Sequence, residues 1–203
     1  MRLRLLVFSI IILAVLSACA PKRAEIPVFT GGIGDLIAER SKTDSLEALV
    51  SLVIEKKDGN ISGDAFIELT PKTLSMRVYT LGFLSAELEE DEVGIKSKPQ
   101  LEYKKKAAVA DGIRNGLMWW AIKDYTVEET VDEYILRNSW KRLVVDKKTM
   151  QPLSQRIELP NIGTMNVYYE EPALLAGGAY PTSVRVEVLR YTIRMTVKEM
   201  EFK

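Results

Sequence analysis

The chain has 203 residues and 47% hydrophobic content, enough to bury the core of one domain. Its 28 basic and 28 acidic residues cancel; setting aside Arg2 and Arg4, which lie in a segment expected to be removed, the net charge is about −2, which points to neither a nucleic-acid partner nor a polybasic lipid patch. With no histidine and a single cysteine, Ser-His-Asp and Cys-His catalysis, the commonest zinc sites and a disulfide framework are excluded.

Met1 to Cys19 has the form of a secretory leader, with Arg2 and Arg4 ahead of an apolar run from Leu5 to Leu16 that is too short to span a bilayer comfortably. Its end, Leu16-Ser17-Ala18-Cys19, resembles the bacterial lipobox. The resemblance implies that residues 1–18 are a lipoprotein signal peptide and that Cys19 becomes the acylated, membrane-attached N-terminus. An ordinary signal peptide with an incidental cysteine is the alternative. Ala20, where enteric lipoproteins kept at the inner membrane carry aspartate, implies passage to the outer membrane.

Residues 19–34 are rich in proline and glycine (Pro21, Pro27, Gly31, Gly32, Gly34) and read as a tether, leaving 35–203 as a single domain. Ile33, Leu36 and Ile37 fall at helical spacing and predict a short helix through Arg40. From about Ala48 the pattern becomes that of a strand ending at the turn signal Asp58-Gly59. Ile61, Gly63, Ala65, Ile67 and Leu69 then alternate with polar neighbours, the small residues leaving room on that face.

Two more alternating runs follow, Leu74, Met76 and Val78 falling on one parity, as do Leu84, Ala86 and Leu88. Thr80-Leu81-Gly82-Phe83 joins them, so two large apolar side chains stand where a hairpin normally presents polar residues to water. Either the tip folds back under its neighbours or it enters an apolar phase. Val93 and Ile95 complete a five-strand antiparallel meander that Pro99 ends.

From about Glu102 to Ile122 the apolar residues recur at threes and fours, predicting either one helix or two with a break at Gly112 or Gly116. Trp119 and Trp120 stand near its end, where they either pack as core or line or gate an apolar cavity. Leu117, Ile67 and Met76 join them as cavity or lid candidates. Six further strands run to Phe202, and the parity change in the last predicts a β-bulge near Lys198 or Glu199. About eleven strands with one helical interruption predict a mainly β fold: a strongly curved antiparallel half-open barrel under a helical lid.

Glu87, Glu89, Glu90, Asp91 and Glu92 are the densest carboxylate cluster, able in principle to hold a hard cation or an acid/base pair but better read as a solvated strand end. Lys104-Lys105-Lys106 reads as a wet helix start that could also meet phospholipid heads or an acidic partner. An enzyme is the least favoured class, and no metal or cofactor is expected.

The order of lipobox, tether, short helix, Asp58-Gly59 turn, Leu-Gly loop running into Leu84-Ser85-Ala86-Glu87-Leu88-Glu89, tryptophan-bearing helix, Val167-Tyr168-Tyr169 strand and Tyr180-Pro181 resembles the outer-membrane lipoprotein receptor family LolB. The family's usual Pro-Leu-Gly is here Thr80-Leu81-Gly82. The resemblance implies a monomeric, lipid-anchored protein on the periplasmic face of the outer membrane that accepts acyl chains of lipoproteins from a LolA-like periplasmic carrier. By the same resemblance Leu81, with Gly82, Phe83 and Leu84, forms the membrane-insertion loop. A non-transporting scaffold or envelope sensor on the same fold is the alternative.

Overall fold

The structure, a computed structural model, describes residues 29–57, 59–175 and 178–203; Cys19, the leader and most of the 19–34 segment lie outside the described residues. Helix α1 (Ile33–Arg40) leads into strands β1 (Leu46–Lys56), β2 (Gly59–Leu69), β3 (Leu74–Thr80), β4 (Phe83–Glu90) and β5 (Ile95–Lys98). After helix α2 (Tyr103–Leu117) come β6 (Thr126–Glu129), β7 (Glu133–Arg137), β8 (Lys141–Asp146) and β9 (Pro152–Leu159). The chain closes with β10 (Gly163–Leu175), β11 (Gly178–Val188) and β12 (Tyr191–Phe202).

All twelve strands form one sheet in the order β5-β4-β3-β2-β1-β12-β11-β10-β9-β8-β7-β6. It consists of two antiparallel meanders joined where β1 pairs with β12. The two edge strands, β5 and β6, are consecutive in sequence, so the chain passes from one edge to the other through α2. The sheet therefore stays open, a half-open barrel, and α2 covers its inner face.

Central strand β1 shows why the sequence folds this way. Leu46, Ala48, Val50, Leu52 and Ile54 point into the core while their neighbours are half-buried on the outer side. The predicted bulge is present: β12 carries Lys198 as an extra residue between the pairs Leu49↔Glu199 and Val50↔Val197. It reconciles inward Val197 with inward Met200 and adds local twist to the sheet.

Two expectations are corrected and one is narrowed. The described residues form twelve strands rather than eleven, because β6 (Thr-Val-Glu-Glu) is exposed at every position and leaves no alternation to read. Of the one or two helices expected between Glu102 and Ile122, one is present, α2, unbroken through Gly112 and Gly116. A Cβ on Gly112 would lie 3.0 Å from Ile193, and one on Gly116 would lie 2.9 Å from Met195 and 3.3 Å from Val184, so both glycines let the helix approach β11 and β12 closely. At Gly63 the reason for smallness is also contact rather than room, since a Cβ there would sit 2.2 Å from the Tyr79 carbonyl oxygen.

Candidate functional site

The β3–β4 hairpin turns through Leu81 and Gly82, with φ values of 52° and 82°. Positive φ at both central residues is the tight-hairpin pattern that normally selects asparagine or glycine, and a leucine there is strained. The same leucine is 93% exposed, and Phe83 beside it is 79% exposed. Leu84 is 47% exposed for a local reason. Strand β4 carries Ser85 as an extra residue opposite the step from Val78 to Tyr79, which breaks the alternation before Ala86 and Leu88 turn inward. The Thr80 hydroxyl donates to the Ser62 carbonyl at 2.6 Å and the Ser85 hydroxyl to the Val78 carbonyl at 3.1 Å, fixing the base of the tip. The apolar residues of the tip thus stand clear of the fold on an ordered stalk.

The tryptophans lie elsewhere. Trp119 and Trp120 are buried just beyond α2, their rings edge to face at 5.7 Å, and Trp120 meets Phe202 at 5.8 Å and Tyr180 at 6.4 Å. Arg40 of α1 places its guanidinium 5.9 Å from the Trp120 ring and donates to the Ala179 carbonyl at 3.0 Å. Leu117 and Ile67 are fully buried in the same core; Ile67 pairs across the sheet with Met76. Of the five cavity or lid candidates, Met76 borders an apolar slot.

Polar groups that sequence reasoning missed clamp the C-terminal half of α2. Tyr180 O–H donates to the Leu117 carbonyl, while Gln155 Nε2 and Tyr169 O–H donate to the Asn115 carbonyl at 2.8 and 3.0 Å. Lys141, only 2% exposed, donates to the carbonyls of Trp119 at 3.3 Å and Ala121 at 3.1 Å. The Asn115 and Leu117 carbonyls lie in the last turn of α2, which leaves them without helical partners, and those of Trp119 and Ala121 lie in the segment that follows it. The signal was available: Lys141 shares the inward parity of Leu143 and Val145. Arg114 adds an ion pair to Glu90 at the end of β4, both side chains being mostly buried.

Burial pulls the Lys141 ammonium down from the ordinary lysine range to about 7. Between that value and the ordinary 10.5, the unfolded chain holds a proton that the folded chain releases, so stability rises with pH across this window. A Lys141→Met variant lacks this dependence. Wild type is expected to gain about 2 kcal/mol relative to it between pH 7 and pH 9, measured by urea unfolding; a constant difference would place a permanent charge at Lys141.

Free space lies at the other end of α2. A narrow apolar slot of about 30 Å³ is bordered by Ile54, Ile61, Met76, Ala86, Leu88 and Val109. It shares Lys56, Leu101 and Tyr191 with a wider pocket of about 620 Å³ at the ends of β1, β12 and α2. Helix α2 is therefore pinned at its C-terminal end and borders the slot with its N-terminal half.

The carboxylates of the β4–β5 region do not converge. Glu87 faces Arg77, Glu90 binds Arg114, Glu92 faces Lys72, and Asp91 accepts the N–H groups of Val93 and Gly94, which holds its carboxyl below the usual range. Among the described residues no cluster of three or more metal-ligating side chains occurs, and no helix is long and apolar enough to cross a membrane.

No family model matches the chain, and no curated protein does. Among solved structures it is similar to a DUF1329 family protein from Desulfovibrio piger, with a TM-score of 0.56 and 12% identity over 84% of this chain and 90% of that one. It is also similar to a LolA superfamily protein from Nitrosomonas europaea, with a TM-score of 0.56 and 13% identity over 85% of this chain and 94% of that one. At such identities the likeness concerns the fold, and the fold of this chain is the LolA-like half-open barrel.

Proposed function

We propose that this chain is a lipid-anchored receptor of the LolB kind, which takes acyl chains of lipoproteins from a periplasmic carrier and inserts them into the outer membrane. The observation that carries the proposal is the β3–β4 tip, where strain and apolar exposure fall on the same residue, Leu81. Such a tip is unfavourable in water and favourable in a leaflet. In this reading Cys19 supplies the anchor, Leu81, Phe83 and Leu84 enter the bilayer, and the slot beneath the N-terminal half of α2 is the closed form of the acyl site.

Opening that site means lifting the N-terminal half of α2 while the clamped end stays. Burying about a dozen acyl methylenes returns roughly 10 kcal/mol, enough to offset the loss of one helical turn's contacts. An Ala86→Leu substitution fills the slot from the wall opposite Val109. It is expected to lower uptake of a fluorescent fatty-acid analogue at least ten-fold with the far-ultraviolet circular dichroism unchanged. Undiminished uptake would remove the slot from the mechanism.

The close seating of α2 through Gly112 and Gly116 favours a second reading, a non-transporting scaffold or envelope sensor. The two separate on acyl uptake, which only the receptor requires.

A further inference from the structure

The end of the sheet that carries the apolar tip also concentrates positive charge. Lys56 ends β1 and Lys57 follows it, Arg190 turns the chain between β11 and β12, and Lys104 and Lys105 open α2. These five cations and one acid, Glu102, line the pocket of about 620 Å³. Lys105 is held by Glu102 at 3.1 Å. Among the described residues, no carboxylate forms an ion pair with Lys56, Lys57, Lys104 or Arg190. Cations around one space repel one another, and an anion placed among them relieves that repulsion. The near-neutral balance of the whole chain hides this local excess.

The chemistry of the surroundings selects the anion. The pocket adjoins the apolar slot, with Lys56, Leu101 and Tyr191 lining both. Exposed Leu189 beside Arg190 and exposed Tyr103 beside Lys104 set apolar surface among the charges. A soluble anion or an acidic protein segment uses the charge alone, whereas an amphiphile uses both. We infer that this mouth binds the phosphate of an anionic phospholipid in the leaflet, with the glycerol and acyl part directed toward the slot. The inference rests on reading this end as membrane-facing, but not on the delivery of cargo.

The test uses the chain from Ala20 onward, which holds every described element of the fold, and phosphatidylcholine vesicles with and without phosphatidylglycerol. Sedimentation is expected to show binding that prefers the anionic vesicles and weakens with salt. Each lysine or arginine near an anionic surface is worth about five-fold in partitioning, so Lys104→Gln with Arg190→Gln is expected to lower binding about 25-fold. Lys42→Gln with Lys72→Gln, at the opposite end, leaves it unchanged. Equal binding to both vesicles, or an equal loss from the Lys42 and Lys72 pair, overturns the inference. Capture of a polyglutamate peptide, or of glycerol phosphate, in place of the anionic vesicles overturns it in favour of an acidic protein or a soluble phosphate. Leu81→Glu separates the two proposals: persistence of the preference for phosphatidylglycerol in that variant supports the mouth whatever becomes of delivery.

Discussion

A Leu81→Glu variant is expected to fold as stably as wild type and take up acylated cargo normally, yet transfer almost none of it to a bilayer. Leu81 is nearly fully exposed, and its φ of 52° strains glutamate no more than leucine, so stability should change by no more than about 0.5 kcal/mol. Membrane entry is another matter. Burying a leucine or phenylalanine side chain gains roughly 1.5–3 kcal/mol each, and a carboxylate at the head of the tip replaces part of that gain with a desolvation cost. The variant is checked by urea unfolding, by binding of an acylated peptide, and by transfer of that peptide to vesicles. Wild-type transfer would take Leu81 out of the mechanism.

The second large effect is on stability. Trp120→Ala is expected to cost about 3–5 kcal/mol, because the ring is buried against Trp119, Tyr180 and Phe202 and its removal leaves a cavity that four elements would have to collapse to fill. The loss falls at the clamped end of the lid, where α1, α2, β11 and β12 meet. Unfolding in urea, followed by far-ultraviolet circular dichroism since the variant loses a fluorophore, measures it. A loss below about 1 kcal/mol would mean that the Trp120 ring adds little to the polar clamp on the end of α2.

The fold was legible wherever one face of an element is buried and the other wet. The alternation of β1 to β4, the Ile33–Arg40 helix and the bulge at Lys198 all follow from periodicity. Apolar residues at the β3–β4 tip were legible for the opposite reason, as a violation of what a turn requires. Gly112 and Gly116 were ambiguous because glycine looks the same whether it breaks a helix or admits a close neighbour. The tryptophans were ambiguous in the same way, since core and cavity wall demand the same side chain. Lys141 went unread because a charged residue on an inward parity looks like a strand end until the carbonyls it serves are in view. The basic mouth draws on segments as far apart as Lys56, Lys104 and Arg190, and only the register of β1 with β12 and the path of α2 bring them together.

The structure has a helix fixed at one end, an apolar slot under its other end, and an apolar tip and a basic mouth at the same end of the sheet. Native mass spectrometry of the chain from Ala20 onward, purified gently from cells, tests whether the slot holds fatty chains. Bound acylated species that disappear in Ala86→Leu are the expected result. A chain that emerges empty, and stays empty when mixed with acylated peptide, would contradict the account and leave the scaffold or sensor reading in its place.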